Sequence, residues 1–183
     1  MLRVKKGDLD AFNRLITRYR NPVVNTLYKI TRERDGSEDL AQEVFLRVFK
    51  ARKTYKVRAR FTTWLFRIVR NVAYNAIRDR KKRQNVTTFT NGYEKKHGEA
   101  AFKSEQPGPE DIVRVSDLKR DLKKAMGLLS MNQRTAIVLS RIEGMTYIEI
   151  AQVLDISEAA VKMLVSRAKK VLARELDHYI QEA

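Results

Sequence analysis

The chain has 183 residues, 43% of them hydrophobic, which leaves room for one domain or two small ones with packed cores. Its net charge of +16 and pI near 10.2 favour a polyanionic partner, either nucleic acid or an anionic membrane surface. It has no Cys, no apolar run near the roughly 18 residues needed to span a bilayer, and an opening (MLRVKKGDLDAF) without a signal-peptide core. Disulfides, thiolate chemistry and membrane insertion are therefore excluded, and a cytoplasmic location is expected. The charge is lopsided. Residues 1–84 carry 23 Lys and Arg against 8 Asp and Glu, a net of +15, whereas residues 85–183 carry 15 against 14, a net of +1. Electrostatic attraction to nucleic acid is thus assigned to the first half.

In chain order, Leu9, Phe12, Leu15, Ile16, Tyr19, Val23, Val24, Leu27 and Ile30 form an apolar stripe at helical spacing. Asp8 is placed to cap it, and Pro22 should kink or split it. Ser37 is expected to cap a second helix, whose buried face is Leu40, Ala41, Val44, Phe45, Val48 and Phe49. Lys50 to Arg60 then holds six basic residues in eleven, no acid, and one aromatic, Tyr55.

This run feeds a third helix from Phe61 to Arg83. Phe61, Trp64, Leu65, Ile68, Val69, Val72, Ala73, Ala76 and Ile77 are its apolar positions, with Arg67, Arg70, Asn71, Asn75, Arg78 and Arg80 between them. Cations interleaved with aromatics suit unpaired strands: the cations follow phosphates while rings stack on bases, at about 1–3 kcal/mol each. The competing reading is a core helix with a solvated basic face.

Residues 84–111 lose the periodicity and gather Gly and Pro, which reads as a flexible linker with a short helix near Glu99 to Lys103. The second half restarts at Asp111 with a stripe of Ile112, Val115, Leu118, Leu122, Ala125, Met126 and Leu129. Asn132 is expected to cap the next helix and Gly144 to end it. Thr146 and Glu149 have capping-box spacing. Asp155-Ile156-Ser157 is a turn, and Ser157 caps a final helix with Val161, Leu164, Val165, Ala168, Val171, Leu172, Leu176 and Ile180 inward. Two helices about a three-residue turn, with small Ala151 and apolar Ile156, make a helix-turn-helix.

Taken together, these segments resemble one family, the bacterial RNA polymerase sigma factors of the extracytoplasmic-function group. Gly7 to Tyr19 is similar to the opening of its region two, Ser37 to Phe49 to its polymerase-binding helix, and Phe61 to Asn71 to its promoter-melting segment. Leu129 to Leu172 resembles region four. The resemblance implies an all-α fold with region two over 1–84, a flexible linker over 85–110 and region four over 111–183. It implies binding to the clamp helices and flap of core RNA polymerase, to duplex and melted promoter DNA, and to an anti-sigma factor.

By that resemblance, Asp39, Leu40, Gln42, Glu43 and Phe45 fall on the polymerase-binding motif. Tyr55, Phe61, Trp64, Asn71 and Asn75 fall at the melted −10 element, with Lys56, Arg58, Arg60, Arg67 and Arg70 on its phosphates. Ser157, Glu158, Lys162, Ser166, Arg167, Lys169 and Lys170 fall where the recognition helix meets the −35 element. The chain departs from the family where Phe-Arg-Gly becomes Tyr55-Lys56-Val57, where Asn75 stands near a usual Asp, where Leu-Pro becomes Leu129-Ser130, where the turn Gly becomes Asp155, and where Thr-Val-Lys-Ser-Arg becomes Ala160-Val161-Lys162-Met163-Leu164. Polar groups that would meet DNA are replaced by apolar ones. Region four is therefore also a candidate for a DNA-bound recruiting protein, with Met163 in the contact.

No catalytic constellation, cofactor or metal is expected. His97 lies in the linker and His178 near the C-terminus, without ligand spacing around either. The main alternative is a stand-alone helix-turn-helix regulator. It predicts a basic second half, which this chain lacks. Membrane-surface and RNA-binding readings share the basic-aromatic signature but do not require the ordered motifs.

Overall fold

The computed structural model describes residues 1–57, 59–87, 109–177 and 179. Among these, eight α-helices and one short 3-10 turn, Ala51–Thr54, are present and no strand. A one-turn helix, α1 (Leu2–Lys5), precedes α2 (Leu9–Thr31), α3 (Ser37–Lys50) and α4 (Phe61–Thr87). The second half is built from α5 (Pro109–Leu128), α6 (Met131–Arg141), α7 (Tyr147–Leu154) and α8 (Glu158–Glu175).

Local chemistry accounts for most helix ends. Asp8 Oδ1 accepts from the Ala11 amide at 2.7 Å. That backbone bond, aided by Arg3, holds the Asp8 carboxyl below the ordinary carboxylate range. Helix α2 runs on through Pro22 rather than splitting there. Only the carbonyl one turn earlier loses its partner, and the apolar stripe carries the helix across. At its far end Arg32 takes a left-handed conformation (φ 67°).

The capping expectations need two corrections. Ser37 is the first residue of α3 and Gly36 its cap; the Ser37 hydroxyl instead donates to the Glu33 carbonyl. Asn132 does not cap α6. Ser130 does, accepting from the Gln133 amide at 3.3 Å while Gln133 Oε1 accepts from Ser130 N at 2.8 Å. The residue that departs from the family's Leu-Pro thus supplies a reciprocal cap. Thr146 and Glu149 form the expected capping box on α7, and Ser157 caps α8. Gly144, at φ 63°, follows α6 as expected.

Helices α2, α3 and α4 enclose Val23, Leu27, Ile30, Ala41, Val44, Phe45, Val48, Leu65, Val69 and Ala73. Helices α5 to α8 enclose Ala125, Leu129, Ile137, Leu139, Ile150, Val153, Val161, Val165 and Ala168. The two bundles pack on each other, α2 against α6 and α4 against α7, so the buried apolar cluster is continuous across both halves. Helix α4 packs against α2 and α3 within its own half and against α7 of the other. The expected short helix near Glu99 to Lys103, and Ile180, lie outside the described residues. No described helix is long and apolar enough to cross a membrane.

Candidate polymerase and nucleic-acid interfaces

Helix α3 turns Val44 and Val48 into the core and leaves Asp39 and Gln42 exposed, with Glu43 half-buried beside Arg47 Nε at 2.7 Å. Leu40 is half-buried against the core. Phe45, expected on the contact surface, is 7% exposed and packs inward, so it supports the helix instead. Leu46, which sequence reasoning passed over, is 54% exposed on the same helix. Its signal was present: an apolar residue off the buried stripe of an amphipathic helix has no core to enter.

The basic-aromatic segment splits by depth. Tyr55 is buried, its ring edge-on to Trp64 at 5.0 Å and to Phe61 at 6.4 Å. It orients Trp64 from beneath rather than facing a base. Trp64 and Phe61 are half-buried with centroids 5.9 Å apart, and Tyr19 closes on Phe61 at 5.3 Å. The result is a rigid aromatic shelf with part of the indole uncovered. Lys56, Arg60, Arg67 and Asn71 are exposed, and Arg70 and Asn75 half-buried. Arg58 lies outside the described residues. Period 3.6 places Arg60, Arg67 and Asn71 on the solvent side of the helix that holds Trp64.

In α8, Val161, Val165 and Ala168 face the core, which turns Glu158, Lys162, Met163, Ser166, Arg167, Lys169 and Lys170 outward. Ser157 accepts from the Ala160 amide at 3.2 Å. Met163 is 54% exposed, while Leu164 packs against the core. Asp155 takes the left-handed position (φ 58°) that the turn demands.

Several side chains outside the expected set join the two halves. Arg134, at the core margin of α6, donates to the carbonyls of Met126 (2.9 Å), Ile30 (2.9 Å) and Leu129 (3.1 Å), with Gly127 at 3.5 Å. Its proton affinity is drawn down by burial and then by Arg32. Thr26 Oγ1 donates to Glu143 Oε1 at 2.6 Å, and burial pushes the Glu143 carboxyl above its ordinary value. Glu149 is shifted the other way, first by the Thr146 amide and also by Arg60, 3.4 Å away. A cleft of about 120 Å³ lies here between Tyr19, Pro22, Arg60, Phe66, Glu143 and Glu149, too small for a drug-sized ligand. Among the described residues no group of three His, Asp or Glu side chains is placed to hold a metal ion.

The architecture is that of a two-part helical DNA-binding protein. The profile of Sigma-70 region 2 matches residues 15–83, and that of Sigma-70, region 4 matches residues 119–172. Among curated relatives, the ECF RNA polymerase sigma factor SigW of Bacillus subtilis is 30% identical over 173 residues, covering 94% of this chain and 92% of that protein. The ECF RNA polymerase sigma-E factor of Escherichia coli K12 is 26% identical, covering 98% and 93%. The RNA polymerase sigma-H factor of Pseudomonas aeruginosa is 27% identical, covering 99% and 94%.

The fold is shared with two solved structures. RpoE of Bartonella quintana, in complex with the anti-sigma factor NepR, superposes with a TM-score of 0.72 at 24% identity, covering 91% of this chain and 97% of that one. CnrH, in complex with the cytosolic domain of CnrY, gives a TM-score of 0.68 at 23% identity, covering 96% and 94%. The chain belongs to the extracytoplasmic-function group of bacterial RNA polymerase sigma factors. It is an alternative sigma factor, directing RNA polymerase to initiate transcription.

Proposed function

We propose a division of labour along the chain, with residues 1–84 docking on the polymerase clamp helices and melting the −10 element, and residues 111–183 serving upstream recognition. The observation that carries the first assignment is the sidedness of α3 and α4. Each buries one face, and the uncovered faces present Asp39, Gln42, Glu43 and Leu46 on α3 and Arg60, Arg67 and Asn71 around Trp64 on α4. An acidic-apolar edge suits a protein helix, and cations around a partly uncovered indole suit an unpaired strand. Nothing in the chemistry of these faces performs covalent catalysis; polymerisation belongs to the polymerase. The site of action is the cytoplasm, at the nucleoid.

Met163 supports a recruiting protein for region four. It stands uncovered in the first half of the recognition helix, in a half-chain whose net charge is +1. An uncovered apolar group gains little from phosphates, even beside Lys162, and more from a protein surface. The complex of RpoE with the anti-sigma factor NepR supports an anti-sigma partner here.

Run-off transcription with core RNA polymerase tests the reading. Glu43→Arg is expected to abolish initiation on all templates. Trp64→Ala is expected to abolish it on duplex and retain it on a premelted bubble. A wild-type chain that leaves core initiation unchanged would refute the assignment.

A further inference from the structure

Two cations of the α4 segment assigned to the melted strand, Arg60 and Arg70, already contact region four, while Arg67 stays exposed. Arg70 donates through Nη2 to the Leu154 carbonyl at 2.9 Å, at the C-terminal end of α7, where unpaired carbonyls and the helix dipole attract a cation. Through Nη1 it donates to Asn71 Oδ1 at 2.9 Å, so the amide expected to read a base edge is engaged as well. Arg60 faces Glu149 of α7 at 3.4 Å. One turn beyond Arg70, Tyr74 lies 5.0 Å beneath its guanidinium and donates to Asn132 Oδ1 at 2.6 Å, anchoring α4 to α6.

The engagement of Arg70 is incomplete. Its Nε is buried with no hydrogen-bond partner. A guanidinium presents a fork of donors that a phosphate satisfies from two sides, whereas one carbonyl oxygen satisfies it from one. Region four is thus a serviceable but inferior ligand for the group that the DNA backbone would take. The same donors cannot serve both.

Resting on the sigma-factor assignment of α4, we propose that region four is an intramolecular competitor of the melted −10 strand. In the closed chain, α7 holds Arg60 and Arg70, and through Arg70 also Asn71. Strand binding and closure exclude each other. Apparent affinity for an unpaired strand is lowered by the fraction of chains that are closed. Loosening region four raises that affinity without any change in region two.

The chain contains no Cys, so Asn13→Cys in α2 and Ala173→Cys in α8 accept a donor and an acceptor dye as the only labels. The probe is the unpaired oligonucleotide dT12 at low salt, titrated into the full chain without polymerase. Energy transfer is expected to fall as dT12 saturates. The double variant Asn132→Ala/Glu149→Gln alters region four alone and keeps an amide for the α7 capping box. It is expected to start with lower transfer and to bind dT12 about three- to tenfold more tightly.

Helical circular dichroism confirms that the variant folds; if it does not, the wild-type transfer titration decides alone. Transfer that stays constant through a dT12 titration overturns the proposal. So does a folded variant that binds dT12 no more tightly than wild type. Failure of run-off initiation with core polymerase would instead strike the sigma assignment, so the two failures are separable.

Discussion

Replacing Arg134 by Met removes the guanidinium that closes two helix ends at once. The Arg134 side chain satisfies carbonyls at the end of α5 and, across the halves, the Ile30 carbonyl near the end of α2. Its bonds to Ile30 and Leu129 are buried, so water cannot replace the lost donor there. A buried acceptor left without a donor costs roughly 1–3 kcal/mol, so two such acceptors give about 2–6 kcal/mol. Met fills most of the volume, and removing a buried cation that has no carboxylate partner recovers part of its desolvation. The expected net loss is therefore in the lower half of that range, about 2–4 kcal/mol.

Urea unfolding followed by helical circular dichroism measures it, as a lower midpoint at unchanged slope. Arg134→Lys keeps the charge, but one ammonium cannot span carbonyls that the planar fork reaches together, so it should restore only a minor part. A loss under about 1 kcal/mol for the Met variant, or full restoration by Lys, would refute the reasoning.

The same structure sets further outcomes. Gly144→Ala should destabilise by about 1–2 kcal/mol, all of it backbone strain at φ 63°, since an added Cβ meets nothing within 4 Å. Asp155→Gly, at another left-handed position, should change thermal stability less and in the opposite direction; a large loss would show that the carboxylate does more than tolerate the turn.

The pH dependence separates the two interface carboxylates. Glu143, raised by burial, binds a proton more readily when folded, so its contribution to stability grows as pH falls through its raised value toward the ordinary one. Glu149, lowered, contributes above the ordinary value and loses that contribution as pH falls through its depressed value. In melts from about pH 7 to about pH 4, Glu143→Gln should exceed wild type and Glu149→Gln fall below it, both differences shrinking toward acid. Differences that ignore pH would contradict both assignments. Met163→Arg should leave the unfolding free energy within about 0.5 kcal/mol of wild type, because the side chain is 54% exposed, while abolishing recruitment by any protein that binds there. Unaltered transcription from every dependent promoter would dismiss the recruiting partner.

Helix positions and the helix-turn-helix were legible in the sequence because each rests on local chemistry: a 3.6-residue apolar period, Asp8 and Ser157 as caps, the Thr146–Glu149 box, Gly144 as a stop. The errors were local too. Ser130 outcompeted Asn132 for the cap because its hydroxyl and Gln133 satisfy each other, and Asn132 was left for Tyr74. Within the candidate interfaces, residue type was readable but depth was not. Tyr55 and Phe45 look like contact residues in a string, and only the packing of α3 against α4 puts them inside. The closure of the halves left no periodic trace at all. It depends on Arg134, Arg70 and Tyr74 meeting groups 58 to 104 residues away, and a basic helix face reads the same whether it meets solvent, phosphate or another helix.

Those separations also set a schedule during synthesis. The Thr26–Glu143 and Arg134–Ile30 bonds join residues 117 and 104 apart. At about 5–20 residues per second, their second partners leave the ribosome roughly 5–20 s after the first. Helices α2 to α4 depend on one another through nearby sequence and can pack during that interval. The newborn first half therefore presents Arg60 and Arg70 before α7, which holds them in the finished chain, exists. Each molecule passes once through an open state on its way off the ribosome.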